Sequence, residues 1–160
     1  MRARGGTVGA ILGHRMSREN VKLIRDAFLA ASRGGALDAL DQDALERAFE
    51  FFHPEIEIRE DPRFPEAGVF RGQNAVRRYF AQFTEQFDEF RFEFEDVLDA
   101  GGDRVVLLFH LHGRGKDSGA VFEERPAWVQ TIRDGKAVRI EAYLDRREAL
   151  EAVGLSERLA

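Results

Sequence analysis

Apolar residues recur at helical spacing in three stretches of the chain. The first stretch follows Ser17, a favourable N-cap, and Gly34-Gly35 ends it. The second runs from about Leu37 to Phe52, where Asp38 or Asp41 could cap a shorter helix, and the third begins after Gly72. Each pattern predicts an amphipathic helix, and the apolar faces consist of Val21, Ile24, Phe28 and Ala31, then Leu45, Ala48, Phe49 and Phe52, then Val76, Tyr79, Phe80, Phe83 and Phe87.

Elsewhere apolar and polar residues alternate, which is typical of strands with one buried face. The first such strand is Glu55 to Glu60. Asp134-Gly135 predicts a hairpin turn, and Asp145 with Glu148 resembles the capping box of a terminal helix that ends at Gly154. The other predicted strands lie around Phe90, Phe92 and Phe94, from Val105 to His112, from Val121 to Ile132 with an interruption at Pro126, and from Val138 to Leu144.

The predicted order is helix, helix, strand, helix and then four strands. Helices grouped on one face of an antiparallel sheet indicate the α+β class rather than a doubly wound parallel sheet. A long sheet with a bulge curls. We therefore predict a conical barrel, in which a curved, mostly antiparallel sheet wraps around the N-terminal helices and leaves an apolar mouth.

The composition of the chain excludes some classes of binding partner but does not indicate a reaction. The 160 residues are expected to form one domain, 17–160, after a flexible extension, 1–16, with Met16 as the expected natural start. Fourteen Phe residues suit a large apolar interior, and a net charge of −5 argues against a nucleic-acid partner. There is no cysteine and no apolar run of about 20 residues, so we expect a cytoplasmic protein without a membrane partner.

Four segments together resemble the SnoaL-like branch of the nuclear transport factor 2-like (NTF2-like) superfamily, which includes ketosteroid isomerase. They are ENVKLIRDAFLAASRGG, HPEIEIREDP, GVFRGQNAVRRYFAQF and WVQTIRDGKAVRIEAYLDRREALEAVGL, and they lie within roughly residues 17–155. The resemblance implies a conical α+β fold, a deep pocket between sheet and helices, and a homodimer packed through the sheet. The superfamily contains isomerases, polyketide cyclases, epoxide hydrolases and non-catalytic binding proteins, so the fold does not fix the function.

The resemblance to ketosteroid isomerases assigns a role to Asp61. Glu60-Asp61-Pro62 matches the motif whose Asp is the general base of those enzymes. The other half of that site is absent, because the positions of its hydrogen-bond donors carry Phe28, Phe80 and Trp128. Phe has no donor and an indole has one N–H, so an enolate could not be held in the same way. Ketosteroid isomerase activity is therefore rejected, and Asp61 keeps an alternative role as a loop residue before proline.

Two histidines and an arginine are further candidates. SnoaL-type cyclases use an Asp/His pair, and His110 and His112 share one face of a strand, which points either into the cone or to a dimer interface. Epoxide hydrolases of this fold use an Asp-Arg-Asp set, of which Asp61 and Arg59 could supply part. A metal bound by the histidines with Asp61 is weakly supported by the spacing of two residues, so we predict no metal and no cofactor.

The leading prediction is a pocket for a small apolar molecule. If the protein is an enzyme, we expect cofactor-independent acid/base chemistry on an apolar carbonyl or epoxide compound, in an isomerase, cyclase or hydrolase. The alternatives are a non-catalytic binding or dimerisation module and a structural dimer with a collapsed cone. The predicted catalytic residue is Asp61, and the predicted ligand-binding residues are Phe28, Arg59, Phe80, Phe83, His110, His112, Trp128 and Gln130.

Overall fold

The structure, a computed structural model, describes residues 5–64 and 67–155, and for residues 5–17 it describes the backbone alone. No helix among these residues is long and apolar enough to cross a membrane. The elements are α1 (Gly5–Ala31), β1 (Ala36–Asp38), α2 (Gln42–Phe49), β2 (Phe52–Arg59), β3 (Val69–Arg71), α3 (Gln73–Thr84), β4 (Phe87–Asp99), β5 (Arg104–Gly115), β6 (Val121–Glu124), β7 (Ala127–Arg133), β8 (Lys136–Tyr143) and α4 (Arg146–Ala152).

The described strands form one curved, unclosed sheet in the order β1-β4-β5-β7-β8-β2-β3, and β6 pairs with β5 beside this path. All strand pairs are antiparallel except β2 with β8. The long β4–β5 pair shifts register after Phe87 and again after Phe94, and such bulges bend a sheet. The predicted α+β class, with a mostly antiparallel curved sheet against helices, is confirmed.

Side-chain alternation on β5 separates the two faces of the sheet. Val105, Leu107, Phe109 and Leu111 belong to the large core beneath α1, α2 and α3, and we call this the inner face. Val106 and Leu108 belong to a smaller core with Ala149 and Leu150 of α4, on the outer face. The large core therefore lies between the three longer helices and the sheet.

The helical region predicted from Leu37 to Phe52 is too long, because this segment holds β1, α2 and the start of β2, but the shorter helix with an Asp41 cap is confirmed. Leu37 pairs with Phe92 of β4, and the Asp41 side chain caps α2. Pro54 lies within β2, where the pairing with β8 is interrupted between Phe52 and Glu57, so no ladder N–H is lost. Apolar spacing alone could not separate these short elements from one longer helix.

Two predicted boundaries also need correction. The first helix was predicted to begin at Ser17, whereas α1 begins at Gly5. Phe87 was placed on the third helix, whereas α3 ends at Thr84 and Phe87 is the first residue of β4. The division into a flexible extension, 1–16, and a domain, 17–160, stays a prediction.

The turn signals in the second half of the chain are confirmed. Asp134 and Gly135 both adopt positive φ, at 50° and 76°, between the paired strands β7 and β8. Pro126 lies between β6 and β7 and divides the predicted long strand. The Asp145 side chain accepts a hydrogen bond from Arg147 N at the start of α4.

Candidate functional site

An apolar cavity of about 80 Å³ lies between the inner face of the sheet and helices α1, α2 and α3. Phe28 of α1, Phe80 of α3 and Trp128 of β7 lie on its wall, together with aliphatic and phenylalanine side chains of α2, β1, β4 and β5. We call it the main cavity. It is small beside the roughly 300–1,000 Å³ of typical ligand pockets, so a large ligand would have to displace lining side chains.

Gln130 is the one polar residue among those that line the main cavity. It lies on β7 between Val105 of β5 and Ile140 of β8, and it is 3% exposed. Its Oε1 atom has no hydrogen-bond partner among the described residues. A buried acceptor without a partner costs about 1–3 kcal/mol, so this amide is the polar point at which a ligand could bind.

Aromatic rings separate the main cavity from a second, smaller one. Trp128 packs against Phe109 at 5.0 Å and Phe92 at 5.7 Å between ring centroids. These three rings and Phe80 line both cavities. The second cavity has a volume of about 30 Å³, and its wall includes Glu60, Phe64, Tyr79 and Phe83. We call it the Glu60 cavity.

Glu60 is the one acidic residue among those that line the Glu60 cavity. Burial raises the pKa of its carboxyl to about 7, and the negative charge of Asp61 acts in the same direction. A hydrogen bond with the Tyr79 side chain lowers the pKa of Glu60, but this effect is smaller than that of burial. A carboxyl group with a pKa near 7 can both accept and return a proton at neutral pH.

The position of Glu60 follows from the alternation along β2. Ile56 and Ile58 are almost fully buried and belong to the large core. Glu60 follows at the same parity, and its backbone N–H donates to Gly68 O across the loop. The alternation of Ile56, Ile58 and Glu60 in the sequence is consistent with an inward-facing Glu60, whereas the match to a family motif selected Asp61.

Asp61 has the opposite parity and lies outside both cavities. Its carboxylate accepts hydrogen bonds from Arg63 N (3.0 Å), Arg63 Nε (2.9 Å), Arg63 Nη2 (2.6 Å) and Leu144 N (2.9 Å). Arg63 also donates to Glu148 of α4 at 2.7 Å. The hydrogen bonds from the Arg63 side chain hold the pKa of Asp61 well below its usual range, helped by the backbone N–H groups of Arg63 and Leu144 and against the opposing effect of burial.

These contacts give Asp61 a structural role. It joins the end of β2 to the end of β8, and through Arg63 to α4. The same pairing raises the pKa of the Arg63 guanidinium above its usual value. A catalytic role for Asp61 stays a prediction that this geometry does not favour, because the carboxylate is only 4% exposed and its oxygens are engaged.

The remaining predicted site residues fall into two groups. Phe28, Phe80, Trp128 and Gln130 line the main cavity, and Phe83 lines the Glu60 cavity. Arg59, His110 and His112 do not line either of these cavities. Arg59 pairs with Glu57 at 3.1 Å on its own strand, and the histidines share the outer-face parity of Val106 and Leu108.

A curved sheet over three helices, enclosing an apolar cavity, defines the NTF2-like class of proteins. The sequence model of the SnoaL-like domain matches residues 35–140, and the chain belongs to the SnoaL-like family. A comparison with curated proteins gives no match.

Solved structures show the same fold. An NTF2-like protein from Burkholderia thailandensis is 27% identical with a TM-score of 0.64, over 83% of this chain and 95% of that one. A putative SnoaL-like polyketide cyclase from Jannaschia sp. is 17% identical with a TM-score of 0.63, over 85% and 92%. TerC, co-crystallised with polyporic acid, is 19% identical with a TM-score of 0.62, over 84% and 98%. At 17% and 19% identity, the latter two show the fold alone.

The structural role of Asp61 predicts a loss of stability in Asp61→Asn. The variant loses the ionic hydrogen bonds to Arg63 and keeps one acceptor for Leu144 N, so the free energy of unfolding should fall by about 2–3 kcal/mol. Urea denaturation at pH 7 measures it. Asp117→Asn, in the exposed loop after β5, is the matched control and should change stability by less than about 0.5 kcal/mol. Equal stability of the two variants would remove the structural role.

The raised pKa of Glu60 predicts a pH-dependent stability. Between pH 4.5 and about 7 the folded protein binds more protons at Glu60 than the unfolded chain does, so the free energy of unfolding falls as pH rises. The full loss is about 3 kcal/mol, at about 1.4 kcal/mol for each pKa unit. Glu60→Gln does not titrate, so its stability relative to wild type should increase by that amount across this window.

Denaturation curves at closely spaced pH values check this prediction. Glu85→Gln, an exposed residue at the end of α3, should reproduce the wild-type pH profile. A constant difference between Glu60→Gln and wild type over the window would show that Glu60 has the same pKa in the folded and unfolded chain.

Proposed function

We propose that the protein binds a small, mainly apolar molecule with one polar group in the main cavity. The observation that carries this proposal is the buried Gln130 amide, whose Oε1 has no partner among the described residues in an otherwise apolar wall. An apolar cavity too poor in polar partners to hold ordered water accepts an apolar ligand instead. A ligand with one hydrogen-bonding group would fill the volume and satisfy the amide.

The size of the cavity limits the ligand. A benzene ring occupies an apolar cavity of about 150 Å³, so a single ring already requires small shifts of the side chains around the main cavity. A longer ligand would have to displace the rings of Phe80, Phe92, Phe109 or Trp128, which separate the main cavity from the Glu60 cavity. Their displacement would bring a ligand bound at Gln130 towards Glu60.

Phenol and toluene form a matched pair of probes for Gln130. Both fill a similar volume, but only phenol can hydrogen-bond the amide, so wild type should bind phenol about tenfold more tightly. Gln130→Leu should abolish this preference, and Gln82→Leu on the exposed side of α3 should retain it. Ligand-observed NMR measures the affinities. Absence of binding, or an unchanged preference in Gln130→Leu, would contradict the proposal.

A second candidate function is proton transfer by Glu60. Its support is a carboxyl group whose pKa burial raises to about 7, beside aromatic rings and hydrogen-bonded with Tyr79. The ionised carboxylate would remove a proton from carbon next to a carbonyl group, or from water attacking an epoxide, and the resulting acid would return the proton to the product. Tyr79 would hold the carboxyl in position.

Turnover of a small aryl ketone and an aryl epoxide in D₂O tests this second function. NMR detects solvent exchange at the carbon next to the carbonyl group, and diol formation. The rate should rise with pH through about 7 and fall about 100-fold or more in Glu60→Gln. Asp61→Asn should retain most of the rate in its folded fraction. If neither compound reacts faster than in buffer, or if Asp61→Asn alone abolishes turnover, Glu60 is not the base.

The expected homodimer, packed through the sheet, belongs to the same proposal and rests on the family resemblance. Sedimentation velocity of the full chain measures it.

A further inference from the structure

A cluster of two histidines and two glutamates lies on the outer face of the sheet. His110 and His112 are on β5, at the same parity as Val106 and Leu108. Strand register places Glu93 of β4 opposite His110, and Glu123 of β6 opposite His112. Three neighbouring strands thus bring the four side chains together, away from both cavities.

One carboxylate and two imidazole nitrogens converge on a single point. Glu93 Oε2 lies 3.3 Å from His112 Nε2 and 3.9 Å from His110 Nδ1. One ligand atom from each of the three residues lies within 4.8 Å of the others. Tetrahedral Zn²⁺ with bonds of 2.0–2.2 Å places its ligand atoms about 3.3 Å apart, so small side-chain rotations would complete such a set.

Glu123 faces the opposite nitrogens of the same rings. Its Oε1 lies 3.2 Å from His112 Nδ1, and its Oε2 lies 3.9 Å from His110 Nε2. Histidines that bind a metal usually donate their other N–H to a carboxylate, which fixes the ring and its tautomer. Glu123 is placed to do this for His112, with Nε2 left free towards Glu93.

The charges around the cluster point to a cation. Glu89 and Glu95, also on β4, pair with Arg91 at 3.1 Å and Arg146 at 2.8 Å. The described part of the chain places the two imidazoles, and no Arg or Lys side chain, within ion-pair distance of the Glu93 and Glu123 carboxylates. His112 Nε2 is buried and lacks a hydrogen-bond partner among the described residues.

We propose that Glu93, His110 and His112 bind one divalent transition-metal ion, with Glu123 orienting the imidazoles. Two nitrogens and one carboxylate oxygen suit Zn²⁺ and Co²⁺ better than Mg²⁺ or Ca²⁺, which prefer oxygen ligands. In the single chain the histidine side chains are 19% and 21% exposed. The proposal replaces the prediction of no metal and is independent of the proposed ligand in the main cavity.

Isothermal titration calorimetry with ZnCl₂ tests the site, on the untagged full chain after treatment with a chelator. One ion per chain should bind, and CoCl₂ should give the visible absorption of a low-coordinate Co²⁺ site. His110→Gln and His112→Gln should each weaken binding by more than about 100-fold. Glu123→Gln should weaken it about 10–100-fold, as expected for loss of an orienting carboxylate.

His53→Gln and Glu124→Gln are matched controls and should bind Zn²⁺ as wild type does. Circular dichroism shows whether each variant folds. If a histidine variant does not fold, Glu93→Gln, at a partly exposed surface position, tests the ligand set instead. Absence of zinc binding by wild type overturns the proposal. Equal zinc binding by wild type and the folded ligand variants also overturns it, because the ion then lies elsewhere on the chain.

Discussion

The carboxylate of Asp61 is the constraint on which the position of Glu60 depends. It holds Arg63 through three hydrogen bonds and the start of the β8–α4 connection through Leu144 N. Because Asp61 is fixed outside the sheet, the preceding residue of the extended chain must point to the inner face. Glu60 is thereby held in an aromatic environment that disfavours its charged form and raises its pKa. The same loop geometry therefore stabilises the charged form of Asp61 and destabilises the charged form of Glu60.

Each of the two cavities has its own polar side chain. The main cavity offers one amide, Gln130, and the Glu60 cavity offers a carboxyl group with a tyrosine partner. The rings of Phe80, Phe92, Phe109 and Trp128 lie between the two cavities and line both. The proposed binding of an apolar molecule involves the main cavity alone, whereas the proposed proton transfer to a ligand held at Gln130 would need these rings to move. The SnoaL-like family membership is compatible with either outcome, because the fold does not specify the chemistry.

The sequence predicted residues of the main cavity better than the acidic residue of the Glu60 cavity. The family resemblance predicted Phe28, Phe80 and Trp128, strand parity added Gln130, and all four line the main cavity. The same resemblance selected Asp61 over Glu60, although the alternation of Ile56 and Ile58 favoured Glu60. The histidine cluster could not be predicted, because Glu93 meets His110 through a β4–β5 register that includes bulges, and Glu123 reaches His112 through a separate strand pair, β5–β6. Short elements such as β1 and α2 were merged for a related reason, since their apolar spacing fits one helix equally well.

A carbon-detected NMR titration of the side-chain carboxyl groups tests most directly whether Glu60 lies in the aromatic cavity. The Glu60→Gln variant assigns the Glu60 signal. We predict a midpoint near pH 7 for Glu60, while Asp61 stays ionised far into the acid range. Tyr79→Phe should raise the Glu60 midpoint further, because the lost hydrogen bond favours the carboxylate. A Glu60 midpoint at the ordinary value of 4.5, unchanged in Tyr79→Phe, would contradict the assignment of Glu60 to the aromatic cavity.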